Sequence, residues 1–200
     1  MKNQYLLNLK ITKRIFLVIV CVSFVACNQS EYSKLVKSEM SKNTTHDTLF
    51  LGMTFGISKQ EFFDKCWKLN SEGLVSHGPS NDFVKYNLPL KEGAPLTESI
   101  RLLFYGIFNE EKKMTGMNVQ FSYDAWSLWN ESLQPDKLIP VAQDSIKKWF
   151  PGNDFIKVKI KKNEKELFVK VDGNRRIIIK PIDDNRELKV RIDDLRYLHD

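Results

Sequence analysis

The sequence is short of the residues from which most reactive centres are built. Its 200 residues hold three cysteines and three histidines. The histidines, His46, His77 and His199, are far apart, and no HExxH, HxH or Cys/His cluster occurs, so zinc chemistry has no motif to rest on. Neither a G-x-S-x-G nucleophile elbow nor a phosphate-binding P-loop is present. No cofactor is expected. Long apolar runs are missing too: the densest, Ile15 to Ala26, is about a dozen residues, against roughly 20 for a helix that crosses a bilayer. Strong charge of one sign is also absent. Four of the 31 basic residues precede residue 27, which leaves 27 basic against 25 acidic residues after it. A nucleic-acid partner is not indicated by that balance.

What is present begins with the leader. Lys2, Lys10, Lys13 and Arg14 precede the apolar run, and no acid stands among the first 26 residues. A cationic start, a short apolar stretch and a small residue at the exit define a secretory signal peptide over 1–26. Phe24-Val25-Ala26-Cys27 resembles a bacterial lipobox, whose cysteine is acylated and becomes the new N-terminus. Two acyl chains, at about 0.8 kcal/mol per buried methylene, hold a protein stably at a membrane. Cys27 is therefore the expected lipidation site. Residues 27–47 are polar and without apolar period, and are expected to be a flexible tether.

The domain is expected over 48–200. A strand at Thr48 to Met53 leads through Gly52 and Gly56 to Ser58, which with Glu61 makes a capping box for a helix. Phe62, Cys66 and Leu69 fall on one face, with Phe63 and Trp67 beside them. Cys66 reads as a small buried hydrophobe, and with Cys27 acylated it has no disulfide partner. Strands follow over Phe83–Leu88, Ser99–Phe108 and Gly116–Tyr123. Residues 124–150 read as helical in two pieces, starting at Asp124, with Trp126, Trp129, Trp149 and Phe150 as core. Alternation then marks strands around Ile156–Ile160, Leu167–Val171, Arg175–Ile182 and Glu187–Ile192, with Asp172-Gly173 as a hairpin signal. The fold class is α+β: an antiparallel sheet with helices packed on one face. The order suggests two tandem halves, about 48–123 and 124–200, each a helix followed by three or four strands.

"LFLGMTFGISKQEFFDKC", residues 49–66, resembles the opening of small secreted lipoproteins common in Bacteroidetes. It is more distantly similar to SmpA/OmlA and β-lactamase-inhibitor-like (BLIP-like) αβ units, where a Gly-Met-Ser/Thr turn precedes a helix. Gly52, Met53 and Thr54 match that turn, whereas Phe55-Gly56-Ile57 is inserted before the cap. The resemblance implies an extracytoplasmic, non-enzymatic protein and names no catalytic residue.

Lys157, Lys159, Lys161, Lys170, Lys189 and Arg191 are candidates for one anion-binding sheet face, which would suit lipid head groups or acidic glycans. Asp183-Asp184-Asn185 reads as a turn between strands rather than a calcium loop. The expectation is a lipid-anchored protein of the bacterial envelope, at the outer membrane facing the periplasm, that binds or helps assemble an envelope component. An envelope hydrolase whose site forms only in three dimensions is the alternative.

Overall fold

Alternation of apolar and polar side chains from Met114 to Tyr123 builds the strand around which the domain is organised. The computed structural model describes residues 30–79, 82–159, 166–180, 182–184 and 186–198. Among these, eight strands form one antiparallel sheet: β1 (Ser76–His77), β2 (Val84–Asn87), β3 (Ile100–Phe108), β4 (Met114–Tyr123), β5 (Ile156–Lys159), β6 (Glu166–Asp172), β7 (Arg175–Ile179) and β8 (Leu188–Asp194). The strand order is β1-β2-β3-β4-β8-β7-β6-β5. Three α-helices accompany them: α1 (Glu31–Ser41), α2 (Lys59–Ser71) and α3 (Pro135–Trp149). Helix α2 precedes the first four strands and α3 the second four. The element order repeats, a helix and then a four-stranded meander, and the two meanders meet where β4 pairs with β8.

Register decides which residues make the core. Leu102 lies opposite Phe121, Phe104 opposite Val119, Val119 opposite Val190 and Ile177 opposite Ile192. Partners across a ladder project to the same face, so these side chains form one apolar layer, and α2 and α3 cover it. Helix α2 starts as its sequence dictates: Ser58 Oγ accepts from Glu61 N–H while the Glu61 carboxylate accepts from Ser58 N–H, at 2.7 Å. Phe50 is wedged between the halves, its ring centre 5.1 Å from Tyr86, 5.7 Å from Phe104 and 4.4 Å from Trp149. Truncating a buried phenylalanine of this kind costs about 3–5 kcal/mol.

Three expectations are corrected. Thr48–Met53 is not a strand: a 3-10 turn at Phe50–Gly52, with Leu51 at φ 53° and Gly52 at φ 70°, turns Leu49, Phe50 and Met53 into the core. No α-helix starts at Asp124. Asn130 Oδ1 accepts from Ser132 N–H and Gln134 Nε2 donates to two carbonyls, so side chains satisfy this backbone locally and leave Trp129 89% exposed. The tether expected over 27–47 contains α1, although residues 27–29 lie outside those described.

The end of α1, from Leu35 onward, belongs to the same compact unit as the sheet. Its end is fastened to the β6–β7 turn. The buried Glu39 carboxylate accepts from Gly173 N–H at 3.1 Å, and further along His46 N–H donates to Asn174 Oδ1 at 2.6 Å. A Cβ on Gly173, which sits at φ 53°, would fall 2.1 Å from the Thr44 carbonyl, so only glycine lets the arm approach. No helix among the described residues is long and apolar enough to cross a membrane.

Burial acts to raise the Glu39 pKa, but the Lys42 ammonium, the Gly173 N–H and Asn153 outweigh it and hold the carboxyl below its ordinary value. A carboxyl depressed in the folded state stabilises above its ordinary pKa and loses that contribution as pH falls through the folded value. Glu39→Ala, which strands the Gly173 N–H, is expected to cost about 1–3 kcal/mol in urea unfolding at pH 7. The difference from wild type should shrink as pH falls below the ordinary carboxyl value of 4.5. A pH-independent difference would contradict this role.

Candidate functional site

Helix α2 carries more aromatic surface than its core contact uses. Phe62 is buried, and Cys66 and Leu69 pack against the core. Phe63 and Trp67, four residues apart and so stacked along the next stripe of the helix, stay 44% and 66% exposed. They overhang the β1 edge of the sheet. Trp67 meets the His77 ring edge-on at 6.2 Å, and Phe83 meets Tyr105 edge-on at 5.0 Å. Between helix and edge opens a mostly apolar cleft of about 250 Å³, lined on the helix side by Phe63, Trp67, His77 and Val84, with Cys66 in its lining. Asp82 is the one formally charged residue among the described lining.

Main-chain geometry at this edge follows from one bond. Gly78 N–H donates to the Phe83 carbonyl at 2.8 Å, and His77 lies opposite Val84. In an antiparallel ladder bonded pairs alternate with unbonded ones, so Ser76 and Gly78 face β2 while His77 turns its N–H and C=O outward. The His77 side chain, touching Trp67, points to the helix side.

Cysteine, histidine and aspartate thus line one cleft, yet they are not coupled as a catalytic set. Burial pushes the Cys66 thiol up from 9.0 to about 11, and no hydrogen bond joins it to His77. A thiol so placed is protonated at neutral pH and a poor nucleophile. Among the described residues no group of three or more His, Cys, Asp or Glu is placed to hold a metal ion.

A second, larger groove of about 450 Å³ lies between α3 and the 88–99 loop. Its walls mix Tyr86, Tyr123 and Trp149 with Glu98, Asp144 and Lys148. Burial first, and then Glu98 and Asp136, raise the Tyr123 pKa, which keeps its phenol neutral.

Among the described residues, the basic side chains expected to form one anion-binding face are divided between two. Lys157 lies opposite Phe168 and Lys170 opposite Ile177, on the helix-covered side, whereas Lys189 and Arg191, opposite Gln120 and Asn118, project to the other. Lys170 is 0% exposed, with its ammonium 2.8 Å from Asp172 Oδ2 and bonded to the Asn153 carbonyl. Arg175 completes that cluster: its guanidinium stacks on Phe150 at 4.4 Å and donates to the Thr48 carbonyl at 3.0 Å. Lys157 pairs with Glu166 at 2.7 Å, Lys189 with Asp183 at 3.3 Å and Arg191 with Asp193 at 2.6 Å. Lys159 remains exposed at the β5 edge. Asp194 holds Arg196, which also reaches Asp47, so the acidic pair that ends β8 binds arginines. Cys27, Lys161, Asn185 and His199 lie outside the described residues. Of the two described histidines, His46 serves the arm and His77 reaches a cleft. The cleft itself escaped sequence reading, although the surplus pair Phe63 and Trp67 was its visible sign.

Lys170→Ala should cost about 3–5 kcal/mol in denaturant unfolding, since it breaks a buried ion pair. Lys159→Ala should stay within about 0.5 kcal/mol. Equal effects would restore the idea of a common solvated face. For the thiol, alkylation of Cys66 by iodoacetamide, followed in the Cys27→Ser protein made without residues 1–26, should accelerate with a midpoint near pH 11. A midpoint below 8 would mean an activated cysteine. Compared with known proteins, the chain matches no family model, no curated protein and no solved structure.

Proposed function

We propose that this chain is a small envelope lipoprotein, anchored through acyl chains on Cys27 and facing the periplasm from the outer membrane, that acts by binding an envelope partner. It is read as a relative of the SmpA/OmlA- or BLIP-like αβ units that residues 49–66 resemble. One observation carries the binding role: an open aromatic cleft beside a sheet edge, whose thiol is held protonated and apart from the imidazole. Exposed aromatic surface of this kind is what monomeric proteins retain for partners. The leader, with four cations and no acid before Cys27, supports the address.

A hydrolase is the second reading, favoured by the meeting of Cys66, His77 and Asp82 in one cleft. It requires the thiol to act as a nucleophile. The two readings separate cleanly. Palmitate should label the wild-type chain in cells and leave Cys27→Ala unlabelled. Solubilised in mild detergent, the wild type should migrate on a native gel above its own mass, Cys66→Ser should do the same, and Phe63→Ala/Trp67→Ala should not. Label retained by Cys27→Ala sinks the anchor; a complex lost in Cys66→Ser and kept in the aromatic variant sinks binding in favour of catalysis.

A further inference from the structure

We propose that the cleft between α2 and β1 captures an extended polypeptide, which adds to the sheet as a ninth strand at His77 and inserts one bulky aromatic or aliphatic side chain between Phe63, Trp67 and Val84. The inference rests on the binding role above and names its ligand class. Three independent features of the same edge meet here.

The first is hydrogen bonding. β1 ends the sheet, and alternation of the ladder leaves the His77 N–H and C=O directed away from β2. No hydrogen bond to either group exists among the described residues. Unpaired edge groups are the template on which a further strand forms, with main-chain bonds supplying affinity and pockets for alternate side chains supplying selectivity. Neighbouring outward groups are limited: the Val75 carbonyl already accepts from Asn70 Nδ2 at 2.8 Å, and Pro79 has no N–H to offer. A docking strand therefore has one register, centred on His77.

The second is position and size. A residue paired directly with His77 projects to the same side as the His77 ring, towards Trp67 and the cleft. At about 250 Å³ the cleft is smaller than the roughly 300–1,000 Å³ that hold a whole small-molecule ligand, and it suits a single large side chain. Phe63 and Trp67 are already ordered by the helix, so little rotamer freedom is lost when they close on a guest.

The third is charge. Asp82 contributes the sole formal charge of the described lining, and no salt bridge among the described residues engages it. A basic residue two positions along the guest strand, on the same face as the inserted side chain, complements it. The ligand is thus a polypeptide segment in β conformation, with a bulky apolar residue followed two places later by a lysine or arginine.

The test uses the full chain as purified from cells and a fluorescein-labelled peptide, Thr-Thr-Phe-Thr-Lys-Thr-Thr, read by anisotropy. Replacing Phe by Ala in the peptide, or Trp67→Ala in the protein, should weaken binding about tenfold or more, as loss of a buried aromatic anchor does. Trp67 is largely exposed, so its truncation leaves the fold intact. Exchanging Lys for Glu should weaken binding at low salt and lose this effect at high salt. N-methylation of the peptide Phe amide, which faces His77, should weaken binding roughly tenfold, the scale of a lost hydrogen bond, whereas methylating the adjacent outward amide should not. Equal effects of the two methylations would show side-chain capture without strand addition and overturn the proposal, while leaving the binding role standing. No peptide binding at millimolar concentration, with dodecyl chains or a soluble peptidoglycan fragment bound instead, would overturn it equally. Loss of the native-gel complex bears on the binding role itself, so the two failures are told apart.

Discussion

The pairing of β4 with β8, from Gly116 opposite Asp193 to Phe121 opposite Leu188, is the contact on which the architecture depends. Each half alone is a four-stranded meander with one helix, and a sheet of that size would leave much of its apolar face uncovered. Joining the halves through their inner strands makes one continuous layer, against which α2 and α3 both pack on the same face. The same arrangement fixes where the sheet ends. Because the inner strands are consumed by the junction, the free edges are β1 in the first half and β5 in the second. They are managed differently. β5 carries Lys157 and Lys159, charges that discourage a further strand, whereas β1 carries an exposed histidine under an aromatic overhang.

A second constraint is the buried charge at the β6–β7 end. Lys170 and Asp172, two residues apart on one strand, share a face and neutralise one another inside the protein. Burial draws the Arg175 pKa down while Asp172 opposes it, and the guanidinium is retained against the Phe150 ring and the Thr48 carbonyl. Such a cluster contributes little net stability compared with apolar packing, but it is intolerant of partial removal. Its geometric demand is strict as well. Gly152 has no room for a side chain, since a Cβ would lie 2.3 Å from Asp172 Oδ1.

Much of this was legible in the residues. The capping box at Ser58 and Glu61, the alternation along β4 and the Asp172-Gly173 turn each encode a local structure whose cause is local, and the helix-then-strands order followed from them. The errors fell where a distant partner decides. Helix α1 lacks an apolar run; its end is fixed by Glu39 meeting Gly173, 134 residues away. Leu49 and Phe50 look like a strand by composition, but the left-handed Leu51 turns them into the core between Tyr86 and Trp149. The lysines alternate faultlessly within β5 and β8, and only the ladder reveals that those strands present them to opposite faces. The candidate site divides in the same way: Phe63 and Trp67 announce themselves by helical spacing, while His77 and Val84 join them only through the folding of β1 onto β2.

The fastening of the N-terminal arm has a mechanical consequence. Glu39, His46 and Asp47 grip the β6–β7 turn and Arg196 after β8, several strands across the sheet from β1. At about 4.8 Å between neighbouring strands, the five steps from β1 to β7 span roughly 24 Å. Tension applied along the arm is therefore taken up by one flank of the sheet and dissipated through its ladders, and the opposite flank, where the aromatic cleft opens, is spared the load.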